Sequence, residues 1–236
     1  MTSSPRTASW TGLLAGAVAH DINNFVQGVS SARALAGAQG ATTANGIETE
    51  AIIEDDLEQL RKLGGRLRAL ASAAGHQASA RLADVCADAF AEVDRPLGQM
   101  RAESIPAELR VAGTAEALTT AVASLLEHAL AAGPAAAAVT LAVRGPQPVG
   151  EAASEAPARP SPGSPVIVEI AAPQAGDLGA IDNARLDLAL ASSLAELRGD
   201  SRLILAGAVA SALGGAVYIT SDAKAGLLLA LHLVAR

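Results

Sequence analysis

Apolar residues near the start of the chain recur at helical spacing. Leu14, Val18, Ile22, Phe25, Val29 and Ala32 step by four, four, three, four and three, one seam along a helix predicted over residues 10–35. A second seam, Ile53, Leu57, Leu60, Gly64, Leu67, Ala71 and Ala74, runs through a helix predicted over 47–74. Glu54, Asp55, Glu58, Arg61, Lys62 and Arg66 take other positions on that helix and read as a solvated face. Between the helices, residues 37–46 have turn chemistry and no period. Two long helices joined by a turn form an antiparallel hairpin, and one hairpin alone cannot bury both seams well. Two hairpins in a four-helix bundle bury them, so the pattern predicts a homodimer.

After a junction at residues 75–79 the periods mix. Helices are predicted over 82–93, 115–132, 186–197 and 201–213, and strands over 105–111, 137–143, 166–170, 216–220 and 227–234. Residues 145–165 hold six prolines and no large apolar side chain beyond Val149, which gives a loop. The strands on either side of it match, so it reads as a long hairpin connection rather than a linker. The fold class is therefore α+β. Residues 1–76 form a dimerising hairpin and residues 77–236 an α/β sandwich.

Half of the residues are hydrophobic but only 2% are aromatic, so the core is aliphatic and alanine-rich. A net charge of -7 with no basic stripe argues against a nucleic-acid partner. The lone Cys86 excludes an internal disulfide, fits a reducing compartment and reads as a small buried hydrophobe. His20, His76, His128 and His232 have no zinc spacing, so no metal site is expected. Residues 10–19 loosely resemble a signal segment, but cleavage there would remove half of the first seam. Residues 203–221 are uncharged, but Gly214-Gly215 divides them into a helix-like and a strand-like part. The expectation is a cytoplasmic protein with no membrane segment.

One histidine stands apart. His20 lies two residues from Val18 and from Ile22, about 200° around the helix from either, and so points to solvent. Asp21 is beside it, Asn24 is one turn on, and Gln27 and Ser31 continue the same outward face. An isolated exposed histidine is an ordinary helix residue. The carboxylate, the amide and the hairpin single this one out. His128, on a mostly apolar helix, reads as a surface or core-edge residue, His232 as the polar side of a strand, and His76 as a loop residue.

The segment Ala-His-Asp-Ile-Asn-Asn-Phe (19–25) resembles the phosphoacceptor box of two-component sensor histidine kinases, with His20, Asp21 and Asn24 at its defining positions. The resemblance extends along the chain: hairpin first, then a kinase-type ATP-binding sandwich. It also implies where nucleotide would bind, and there the residues differ. Ser124 and His128 stand where the family has asparagines, the second of them its magnesium ligand. Ala172 replaces the adenine-binding aspartate, Gln174 the first glycine of that box, and Arg202-Leu-Ile-Leu205 the Gly-x-Gly that lines the phosphates. A phosphate cradle needs close backbone approach, which bulky side chains prevent. The pattern is similar to the ChpT-like dimeric histidine phosphotransferases, a histidine-kinase-like frame with a degenerate ATP site. That resemblance implies a phosphorelay role between response-regulator receiver domains, with His20 as phosphorylated nucleophile, Asp21 and Asn24 as its catalytic partners, and Gln27 and Ser31 as contact residues. It implies no intrinsic cofactor, the magnesium coming with the receiver. The same residues leave two other readings open: an active sensor-type kinase with a divergent ATP site, and a non-catalytic receiver-binding scaffold.

Overall fold

In a computed structural model, the described residues are 10–38, 43–73, 78–93, 100–103, 105–133, 138–145, 163–173, 184–186, 201–222 and 226–236. Two long helices come first, α1 (Trp10–Ala38) and α2 (Thr43–Ala73), packed on each other. The short connection makes them antiparallel. Helix extends three residues beyond the predicted end of α1 and begins four residues before the predicted start of α2. Asn45-Gly46, read as turn chemistry, lies inside the first turns of α2. Near a helix end, the cost of glycine is small beside continuing the hydrogen-bond ladder.

The remaining elements are β1 (Ser79–Arg81), α3 (Leu82–Glu92), β2 (Met100–Ala102), β3 (Arg110–Ala112), α4 (Ala115–Ala132), β4 (Val139–Arg144), β5 (Pro165–Ala172), β6 (Ala184–Leu186), α5 (Ser201–Ala212), β7 (Ala216–Asp222) and β8 (Gly226–Val234). Six strands form one sheet in the order β2-β4-β5-β8-β7-β6. All of its pairings are antiparallel except β2 with β4. The antiparallel pairing of β4 with β5 is the arrangement expected of a long hairpin, though residues 146–162 of its loop lie outside the described residues. β1 and β3 make a separate two-stranded sheet.

Four short strands depart from the expectation. The strand predicted over 105–111 shrinks to β3, because a turn closes ahead of it, with Leu109 N–H donating to Pro106 C=O at 3.1 Å. β1 and β2 are three residues each, too short for alternation to reveal. Leu186, placed at the start of a helix, ends β6; the rest of that predicted helix, 187–197, lies outside the described residues.

The sheet buries one face. Leu141, Ile170, Leu229 and Ile219 lie in register across β4, β5, β8 and β7, each fully buried. Alternate residues point outward, which is the period-2 pattern of a half-covered antiparallel sheet. On that outer side Arg144 bridges Glu169 (3.0 Å) and Glu103 (3.4 Å) across three strands. The Glu169 hydrogen bond and then the Glu103 charge raise its already high pKa further.

α4 lies over the buried face and is capped by Thr114, whose hydroxyl accepts from Ala117 N–H at 3.3 Å. Its sequence shows one apolar stripe, yet it is buried almost all round. α3 and α5 flank it, the sheet lies beneath and α2 packs against it. That environment corrects the reading of His128, which is only 6% exposed. The turn after α5 is a Schellman cap: Gly214 N–H donates to Ser211 C=O (3.1 Å) and Gly215 N–H to Ala210 C=O (2.8 Å), with Gly214 at φ 76°. No described helix is long and apolar enough to cross a membrane.

Candidate functional site

His20 sits near the middle of α1, with its side chain 57% exposed. Residues 14–34 include no proline, and because Gly16, Gly28, the valines and the asparagines are weak helix formers, this helix depends on packing of its apolar side. Val18, Phe25 and Val29 on the far side are half-buried, as is Leu14, and Ala17 and Ala32 are buried along one flank between them and His20. The seam is thus rooted in the protomer. It is not fully covered there, because Ile22 remains 42% exposed.

Two groups meet the same edge of the imidazole. Asn24 Nδ2 lies 3.2 Å from His20 Nδ1, and Asp21 Oδ1 lies 3.5 Å from it. The first is within hydrogen-bond range. The second is an electrostatic contact slightly beyond it. Protonated Nδ1 donates towards the carboxylate, and unprotonated Nδ1 accepts from the amide, so the choice of partner sets the tautomer. No described residue hydrogen-bonds Nε2. Gln27 and Ser31 are exposed at one-turn steps beyond Asn24, so His20, Asn24, Gln27 and Ser31 share one outward stripe.

The apolar surface beside that stripe is wider than the seam. Val26, one turn after Ile22, is 52% exposed, and Leu57 of α2 is 40% exposed. Val26 lies off the seam, which steps in strict fours and threes through Phe25. Counting every apolar residue one turn from Ile22 would have found it. On α2 the seam is also displaced: Ala69 and Ala73 are fully buried and Leu70 packs against the core, whereas Ala71 is exposed. The helix turns its last two turns onto the sandwich rather than along the hairpin.

Arg66 departs from the solvated-face reading. Its Nη2 donates to Glu127 Oε2 on α4, and the two side chains are 18% and 22% exposed. Glu92 of α3 is part of the same cluster. Burial raises its carboxyl pKa, Arg66 draws it down, Glu127 and Asp88 raise it, and Lys62 lowers it.

Most of the described positions that the kinase resemblance assigns to nucleotide are packed. Ser124 and Ala172 are fully buried. Leu203, Ile204 and Leu205 at the start of α5 are buried as well, so their side chains fill the interior instead of opening a backbone cradle. The Ser124 hydroxyl has no hydrogen-bond partner among the described residues. Alanine offers no oxygen to an adenine amino group or a metal ion, so these residues do not fit a magnesium nucleotide. Residues 174–183 of the same region lie outside the described residues.

No family model matches the chain, and no curated protein matches it by sequence. Its fold does match solved structures. The Acinetobacter baumannii histidine kinase AdeS superposes with a TM-score of 0.55 at 12% identity, covering 91% of this chain and 97% of that one. Full-length ShkA, solved in complex with AMPPNP, superposes with a TM-score of 0.53 at 15% identity over 93% of this chain. The match spans 45% of the ShkA chain. The fold is therefore that of a histidine-kinase core, with a helical hairpin leading into an α/β sandwich.

Proposed function

We propose that the protein is a homodimeric histidine phosphotransferase that relays phosphoryl groups between response-regulator receiver domains without using ATP. The observation that carries this reading is the exposed His20 imidazole, with Asp21 and Asn24 both at its Nδ1 edge and no described residue hydrogen-bonded to Nε2. With the proton on Nδ1, Nε2 has its lone pair free. It attacks the phosphorus of a receiver's aspartyl phosphate, the P–O bond to the carboxyl group breaks, and the aspartate leaves as carboxylate. Asp21 offsets the positive charge that the ring gains and accepts its Nδ1 proton. The reverse sequence delivers the group to a second receiver. Such a transfer is loose, so positioning and charge neutralisation dominate, and the magnesium ion arrives with the receiver. The Asn24 amide, which cannot pair with a protonated Nδ1, orients the phosphoryl group or a water, and Gln27 and Ser31 contact the docked partner.

The exposed trio Ile22, Val26 and Leu57 supports the dimer, since a four-helix bundle would cover it. The packed positions 124, 172 and 203–205 support a phosphate source other than nucleotide. Titration of the purified protein with magnesium-AMPPNP tests this point. No heat of binding at millimolar nucleotide, and no labelling of His20 by ATP, are expected. ATP-dependent phosphohistidine would establish the kinase reading instead.

A further inference from the structure

α2 and α4 meet at a charged contact set among apolar residues. Arg66 Nη2 donates to Glu127 Oε2, and Ala69 and Ala73, one and two turns on, are fully buried on the same side of α2. The Glu127 backbone carbonyl in turn accepts from Arg202 Nη1 on α5 at 3.4 Å. One residue of α4 thus joins α2 through its side chain and α5 through its backbone. Glu92 and Asp88 on α3 and Lys62 on α2 complete the charged surroundings.

This contact differs from the other ion pairs of the hairpin. Glu58 and Arg61 lie 3.6 Å apart with their side chains 51% and 75% exposed, and such a pair is screened by water. At Arg66–Glu127 the charges are mostly out of water. Removing one leaves the other uncompensated, and the guanidinium fork accepts few alternative geometries. Its place also matters. On α4, Glu127 immediately precedes His128, the position at which the kinase resemblance expects a magnesium ligand.

We propose that Arg66 and Glu127 are positioning residues for phosphotransfer: they latch the His20 hairpin to the sandwich in one orientation, at the turn of α4 that a kinase would give to magnesium. The inference rests on the reading of His20 as the phosphoacceptor. α1 and α2 also pack on α5, and the latch fixes the orientation of that packing, so a receiver meets an imidazole whose height and tilt are already set, and little orientational freedom is lost on docking.

The test uses Arg66→Glu, Glu127→Arg and the swapped double variant in the full-length protein. Spin labels at Glu58→Cys on α2 and Glu108→Cys ahead of β3 report the hairpin–sandwich distance, with labelled chain diluted in unlabelled chain. The native Cys86 stays in place, being buried with its thiol pushed up to about 12. Wild type is expected to give one narrow distance distribution. Each single reversal broadens it and slows transfer from a phosphorylated receiver about tenfold, and the swap recovers most of both. Should a single reversal not fold, the swap and Arg66→Lys carry the test; the lysine keeps the charge without the fork and should fall between wild type and the reversals. Unchanged distances and rates in folded single variants, or a folded swap with neither recovered, would overturn the proposal. If wild type acquires no phosphohistidine at all, the reading of His20 fails, while the distance distributions still decide the latch.

Discussion

At the scale of the residue, reactivity depends on which partner holds His20 Nδ1. The Asp21 contact favours a proton there and a bare Nε2, whereas the Asn24 amide favours the opposite tautomer. Asp21→Ala is therefore expected to slow phosphoryl transfer about 10- to 100-fold while leaving receiver affinity within about twofold, read by rapid-quench transfer assays alongside binding titrations. An equal loss in both would mean that Asp21 acts as a docking residue. Cys86 gives a contrasting expectation. Burial pushes its thiol up to about 12, so it stays protonated and unreactive through neutral and mildly alkaline pH. Ellman's reagent should find almost no free thiol until the chain is unfolded. The sign for stability follows: a group raised in the folded state favours folding below its unfolded pKa, so this contribution is lost as pH climbs past about 8.5. The outward direction of His20 was readable from a count around the helix. The shared Nδ1 edge was not, because the sequence does not say which nitrogen a neighbour meets.

At the scale of the element, long periodic segments announce themselves and short ones do not. α4 begins and ends where its apolar pattern does, because Thr114 caps it and Gly133 follows it. β5 and β8 alternate cleanly, since one sheet face is buried and the other is not. The burial of α4 on its second side was hidden, since it depends on α2, whose contact residues Ala69 and Ala73 give a weak hydrophobic signal. The Gly214-Gly215 pair was legible as a turn, but its strictness is a tertiary fact. A Cβ on Gly215 would sit 2.1 Å from the His232 carbonyl oxygen, which is main chain and cannot step aside. Gly215→Ala should cost roughly 2–4 kcal/mol in urea unfolding, and a change within about 0.5 kcal/mol would show that β8 can shift.

At the scale of the whole molecule, the hairpin-plus-sandwich layout was legible because the hydrophobic period changes from 3.6 to a mixture near residue 78, where β1 begins soon after. The attachment between the two parts was not, because Arg66 and Glu127 look like ordinary helix charges until α2 and α4 are brought together. The dimer has a direct check. Val26→Glu puts a charge on the exposed apolar strip and is expected to shift the protein from dimer to monomer in sedimentation velocity at micromolar concentration; an unchanged dimer would place the interface elsewhere. The central claim is that His20 takes its phosphate from another protein. The most direct measurement is to mix the purified protein, free of nucleotide, with a receiver domain carrying labelled phosphate and to follow acid-labile, base-stable label on this chain. Label on wild type within minutes, and none on His20→Ala, is the predicted result. Label on both, or on neither across the receivers of the same cell, would contradict it.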